Sequence, residues 1–382
     1  MAASVQTTKS PVRVMIVDDS AIVRGLISKM LGEQRSIEIV ATAFDGFSAI
    51  AEIQRHHVDV VILDIEMPRM DGLTALPELL KVSPHSKVII ASTMSQRNAE
   101  ISLRALSLGA SDYIAKPTSQ RDKENNDQFY RELFEKIMAL ASASSTPAYV
   151  KPEQGAAASI QKTPMGNAFK SDAPEIKKNA LGDSSIYPNK VPRAIAIASS
   201  TGGPQALLKL FAHTKGRLSH LPIFITQHMP PNFTTILATN IRQTAEKDCH
   251  EAVDGEKVKN GIIYLAPGDF HLQPVVRDRE VMISLNQNPP VNFCRPAADP
   301  MIESLLDIYG QHLLVLVLTG MGSDGYLAAQ KVHKAGGTVI AQDKDSSVVW
   351  GMPRAVAENQ ACRAVLSLED IPAYLLKACR EG

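Results

Sequence analysis

Short, nearly unbroken runs of Val, Ile, Leu and Ala, each delivered into a polar or glycine-rich turn, recur along this chain and leave few architectures open. VRVMIV runs into Asp18 and Asp19, VDVVIL into Asp64, and KVIIA into Ser92 and Thr93. A strand that is apolar on both faces must be covered on both faces, which is the situation of a parallel strand between two helical layers. Helical patterns separate the runs, through Ile22, Leu26 and Met30, and again near Phe47 to His56. With Ile37–Ala43 and Asp112–Ala115 added as strands, five βα units fall within about 130 residues and predict a doubly wound sheet over 11–140.

The chain is 382 residues long, against roughly 150 for a typical domain, so a second domain is expected. Between about 141 and 190 large apolar residues thin out, and Ser, Ala, Pro, Lys and Gly dominate; this reads as a flexible linker. From 191 to 382 the pattern resumes. Strands are predicted at Ala194–Ala198, Ile223–Thr226, Gly261–Ala266, Leu313–Thr319 and Thr338–Ala341, with a hairpin near Val275–Leu285. Helices are predicted at Gln205–Ala212, Thr235–Ala245, Pro300–Tyr309 and Tyr326–Ala335, so this half is also α/β, doubly wound and mainly parallel.

Composition removes several classes of function. Lys+Arg and Asp+Glu are both 40, which argues against a general nucleic-acid or membrane-surface binder. MAASVQTTKS has no apolar core of a secretory signal, and no apolar run is long enough to span a bilayer, so a cytoplasmic protein is expected. Cys249, Cys294, Cys362 and Cys379 are widely spaced and read as buried, reduced thiols.

Ligands of open parallel sheets bind at the carboxyl ends of the strands. Asp18, Asp19, Asp64, Ser92, Thr93 and Lys116 all stand at such ends in the first half. Carboxylates gathered there repel one another and call for a hard cation such as Mg²⁺. An ionised carboxylate can also accept a phosphoryl group as an acyl phosphate, with Lys116 and a hydroxyl from Ser92 or Thr93 to hold its oxygens. In the second half, AIAIASSTGGPQALLKL reads as strand, tight turn and helix, placing a serine where a helix N-terminus stabilises negative charge. His228 follows an apolar strand and precedes Pro230 and Pro231, and so supplies a base. Asp324 sits in the Gly-rich turn after the most apolar strand and can orient the imidazole. The same turn can present backbone amides, such as that of Met321, to an oxyanion. Each of these alone has a structural reading, as a cap or a packed side chain. His271 is read as a structural histidine or as lining the active cleft, Trp350 as packing near the site or in the core, and Arg295 either as a surface or capping residue or as a holder of substrate carboxylates.

VDDS at 17–20, DIEMPRMDG at 64–72 and the Lys-Pro pair at 116–117 resemble response-regulator receiver domains. That resemblance implies phosphorylation of Asp64 by a histidine kinase and a Mg²⁺ site of Asp18, Asp19, Asp64 and the Glu66 carbonyl. It also implies phosphate sensing by Lys116 and by Ser92 or Thr93, with Ser92 favoured, and an aromatic switch position at Tyr113. ASSTGG, ITQHMPP, YLAPGDFH, PPVNFCRPAADP, LTGMGSDG and VVWGMPRAV resemble the catalytic domain of chemotaxis protein-glutamate methylesterases. This implies hydrolysis of glutamyl methyl esters on chemoreceptors, often with deamidation of receptor glutamines. The nucleophile maps to Ser200, the base to His228, the acid to Asp324 and the oxyanion amide to Met321. Family members often read Gly-Ala-Ser-Thr-Gly-Gly, so the extra hydroxyl of Ser199 leaves a choice, made for Ser200 because it directly precedes Thr-Gly-Gly. An unphosphorylated first domain is expected to cover the catalytic cleft. The competing readings are a phospho-controlled binding or transcription module, which would need a helix-turn-helix or a basic face, and a dinucleotide-binding turn at ASSTGG, which lacks G-x-G-x-x-G.

Overall fold

A computed structural model describes residues 10–93, 95–116, 123–143 and 179–380. The first domain runs β1 (Val12–Val17), α1 (Ala21–Gly32), β2 (Ile37–Ala43), α2 (Gly46–Arg55), β3 (Val60–Asp64), α3 (Gly72–Val82), β4 (Lys87–Ser92), α4 (Gln96–Ser107), β5 (Asp112–Ala115) and α5 (Lys123–Ala143). Its five strands are parallel in the order β2-β1-β3-β4-β5. The chain starts at β1, steps to one side for β2 and returns to the other for β3. The switch point therefore lies between β1 and β3, where Asp18, Asp19 and Asp64 emerge. All five residues of β3 are buried, which explains the unbroken apolar run that precedes Asp64.

The second domain runs β6 (Ala194–Ser199), α6 (Gly203–His213), β7 (Ile223–Gln227), α7 (Phe233–Ala245), β8 (Cys249–Glu251), β9 (Ile263–Leu265), β10 (His271–Leu272), β11 (Val275–Arg277), β12 (Glu280–Met282) and β13 (Leu285–Asn286). It ends with α8 (Ala298–Tyr309), β14 (Leu313–Val317), α9 (Tyr326–Lys334), β15 (Thr338–Gln342), α10 (Met352–Glu358), β16 (Ala364–Leu366) and α11 (Ile371–Ala378). Seven parallel strands form one sheet in the order β16-β15-β14-β6-β7-β9-β8. Here the switch falls between β6 and β14, the strands that carry Ser200 and Asp324 beyond their ends. The expected hairpin is present as β11 paired antiparallel with β12.

The stretch expected as linker begins inside a helix, since α5 continues to Ala143, and Pro117 and residues 144–178 lie outside the described residues. Residues 179–190 pack on the second domain. Asn179 exchanges hydrogen bonds with Val365, Ile186 is buried, and the Tyr187 ring stacks on Tyr374 at 5.0 Å.

Candidate functional site

Asp18, Asp19 and Asp64 bring carboxylate oxygens within 4.8 Å of one another. Lys116 Nζ donates to Asp18 Oδ2 at 2.6 Å and pairs with Asp64 Oδ1 at 2.7 Å. Asp19, Asp64, Glu66, Ser92, Thr93, Asn98 and Lys116 line an open pocket of about 300 Å³. Burial pushes the Asp64 carboxyl up to about 6 against the opposing pull of Lys116. One ammonium shared between two carboxylates leaves the third acid uncompensated, and an all-oxygen donor set of this kind fits Mg²⁺. Of the two candidate hydroxyls, Ser92 is buried and bonded to Ser102 at 2.8 Å, while the exposed Thr93 accepts from Asn98 Nδ2 at 2.6 Å.

In the second domain, Ser199 ends β6 facing inward, wholly buried, and donates its hydroxyl to Gln227 Oε1 at 2.7 Å. Ser200 comes next, at the strand end, half-buried, with its amide bonded to Thr319 O and its carbonyl held by Gln227 Nε2. Backbone approach here is too close for side chains. A Cβ on Gly203 would stand 1.9 Å from Gln227 Oε1, and Gly202 turns at φ +76°. His228 follows β7 and bonds Asp324 through Nε2 at 2.7 Å. Its other nitrogen, Nδ1, has the Cys294 sulfur 3.4 Å away.

Asp324 is 2% exposed and fully satisfied, accepting from the amides of Ala298, Asp299 and Gly325 and from Asn292 Nδ2. Two of those amides open α8, so a helix N-terminus supports the charge. Burial works against the carboxylate, but the bond to His228 and these amides outweigh it and hold Asp324 below the usual range. For His228, burial disfavours the imidazolium, yet Cys294 and Asp324 outweigh burial and move its pKa upward. Among the described residues no hydrogen bond engages the Met321 amide, which lies in the turn after β14.

The first domain sits on this cleft. Thr201, next to Ser200, donates its hydroxyl to Asp112 Oδ2 of β5 at 2.7 Å, and Lys136 of α5 donates to the same oxygen at 2.6 Å. Tyr113 stacks on Phe233, the first residue of the helix after His228, at 4.4 Å. Gln205 bonds the carbonyl of Ala110 at 2.9 Å, and α4 packs against α6 and α7. Val349 joins the buried cluster of Phe129, Leu133 and Ile137 in α5, with Val348 and Met321 packed against it.

Of the other side chains singled out by the sequence, Arg295 departs from one expectation, while His271 and Trp350 pack as expected. Arg295 is not free for substrate carboxylates, since its guanidinium is spent on Asp269 and on the carbonyls of Gln287 and Asn288. His271 is structural, buried between Pro289 O and the Ala297 amide. Trp350 bonds Gln342 O and packs on the core. Cys294 is only half-buried and touches His228, whereas the sequence suggested a buried bystander. Gln227, Asn292 and Thr201 were not singled out, and only their adjacency to motif residues could have marked them.

Residues 195–375 match the CheB methylesterase family, and residues 14–125 the response regulator receiver domain. A protein-glutamate methylesterase/protein-glutamine glutaminase of Rhodospirillum rubrum is 47% identical over 99% of this chain and 98% of its own. Its counterpart in Azospirillum brasilense is 48% identical over 96% and 92%. The catalytic domain of Thermotoga maritima CheB methylesterase is similar at 40% identity, covering 49% of this chain and 99% of its own, with a TM-score of 0.47. With near-complete coverage on both sides and both domains in the same order, this chain belongs to the family of protein-glutamate methylesterases/protein-glutamine glutaminases with a receiver domain.

Proposed function

We propose that Ser200, His228 and Asp324 carry out the hydrolysis of glutamate methyl esters that membership of the family assigns to this chain, and that the first domain controls access to them. The observation that carries the reading is the meeting of three strand-end loops, through Ser200 N on Thr319 O and His228 N on Ser199 O, with His228 bonded to Asp324 and the Ser199 hydroxyl engaged by Gln227. Asp324 orients the ring through Nε2 and stabilises the imidazolium. His228 Nδ1 then takes the Ser200 proton as Oγ attacks the ester carbonyl, while the Met321 amide steadies the oxyanion. The protonated ring returns its proton to the leaving methoxide, methanol departs, and water hydrolyses the acyl-enzyme by the same route reversed. A receptor glutamine carboxamide fits the same chemistry, with ammonia leaving instead.

The substrates are chemoreceptors, and the phosphodonor is a histidine kinase that modifies Asp64. The enzyme works in the cytoplasm; no described helix is long and apolar enough to cross a membrane. Asp18, Asp19, Asp64 and the Glu66 carbonyl would hold Mg²⁺, which would supply the charge neutralisation that phosphorylation needs. Lys116 and the hydroxyl of Ser92, or alternatively of Thr93, read the phosphoryl oxygens. Contacts from Ala110, Asp112 and Tyr113 to Gln205, Thr201 and Phe233, which flank Ser200 and His228, support a docked, occluded resting state. The test is methanol release from methylated receptor. Ser200→Ala should lose several powers of ten in rate, and near-normal release by this variant would remove the assignment.

A further inference from the structure

Phe293 stands out among the large apolar side chains: it is 88% exposed and its backbone is left-handed, at φ +63°. It shares a two-residue turn with Asn292, at φ +51°, closed by reciprocal hydrogen bonds between Val291 and Cys294. Such a turn needs positive φ at both central positions, which Asn and Gly accept and an aromatic residue resists. The side chain makes up none of that strain by burial. Its surroundings are nonetheless fixed to the catalytic machinery. Asn292 Nδ2 bonds Asp324 Oδ1 at 3.1 Å and Asp299 Oδ2 at 3.3 Å, and Cys294 lies against His228. The same Asp299 carboxylate accepts from the Ala328 amide in the first turn of α9, whose Leu327 is 56% exposed. One buried acid thus ties two exposed apolar side chains to the rim beside the triad. Strain kept at a position where it contributes nothing to packing points to recognition.

We propose that Phe293, assisted by Leu327, is the anchor by which this enzyme grips the surface of its receptor beside the methylated glutamate. This rests on the triad reading above. Methylation replaces a charged carboxylate by a neutral, methyl-capped group, so an apolar contact beside the site suits the esterified receptor better than a cation would. Burying an aromatic side chain in the complex strengthens binding about tenfold or more. Phe293 remains open with the first domain docked, so the anchor is available before activation.

The test compares full-length, phosphorylated wild type with Phe293→Gly, Phe293→Tyr and Leu327→Ala on methylated receptor. Phe293→Gly should raise KM about tenfold or more at nearly unchanged kcat, while its Tm equals or exceeds that of wild type because the turn is relieved. Phe293→Tyr should keep the wild-type KM, and Leu327→Ala should raise it more modestly. An unchanged KM for Phe293→Gly overturns the proposal, as does a loss confined to kcat, which would mean that the turn acts only through the triad. Ser200→Ala run alongside separates the two readings: activity surviving there defeats the triad assignment, not the anchor alone.

Discussion

Replacing Thr201 by Val should make the enzyme active without phosphorylation. Valine matches threonine in shape, so the turn after Ser200 is preserved and only the hydroxyl's bond to Asp112 Oδ2 is lost. A hydrogen bond to a charged group contributes about 1.5–3 kcal/mol. Asp112 keeps its partner Lys136 at 2.6 Å, so no carboxylate is stranded and the lower part of that range applies. About 1.5–2 kcal/mol taken from the docked state alone raises the open fraction about 10- to 30-fold. Methanol release by the unphosphorylated variant should rise by that factor, up to the rate of the activated enzyme. With saturating phosphodonor and Mg²⁺ the two proteins should converge, because in the open state Thr201 has no partner on the first domain to lose. An unphosphorylated variant as slow as wild type, with a normal activated rate, would show that this contact does not hold the domains together.

Three further outcomes follow from the same geometry. Cys294→Ala removes a group that raises the His228 pKa; a base with a lower pKa is deprotonated at lower pH, so the acid limb of the rate profile of the phosphorylated enzyme should move to lower pH. Ser199→Ala should lose stability through the stranded Gln227 oxygen, by about 1–3 kcal/mol in denaturant melts, yet keep kcat within a few-fold. Asp64→Asn should stabilise the protein in chelator at pH 7. With a folded pKa of about 6 against an ordinary 3.8, the wild-type carboxyl has its full stability only below the ordinary value and loses it as pH rises through about 6. The Tm advantage of the variant should therefore vanish near pH 4.

Both sheets were legible because every strand of each is parallel and the central ones are buried on both faces, so composition alone marks them. Two strands of three residues were not: β8 and β16 sit at the edges of the second sheet and carry too little sequence for a period to show. The helices α10 and α11 were missed for the same reason, at seven and eight residues. Within the proposed site, the strand ends drew attention to Ser200, His228 and Asp324, and Ser200 was preferred for its place before Thr-Gly-Gly; the bond of Ser199 to Gln227, 28 positions away in sequence, had no local signal. The Thr201–Asp112 bond spans 89 positions and joins two domains, so no local pattern announces it. Arg295 misled because its partner Asp269 is brought to it only by the folding of the loops between them.

The most direct measurement is labelling of full-length protein with a serine-reactive fluorophosphonate, with and without acetyl phosphate and Mg²⁺, followed by mass-spectrometric mapping of the adduct. A nucleophile at Ser200 under a docked first domain predicts a single adduct on Ser200, formed slowly at rest and much faster after phosphorylation, and absent in His228→Ala. An adduct on Ser199, or labelling of Ser200 at the same rate in both states, would contradict it.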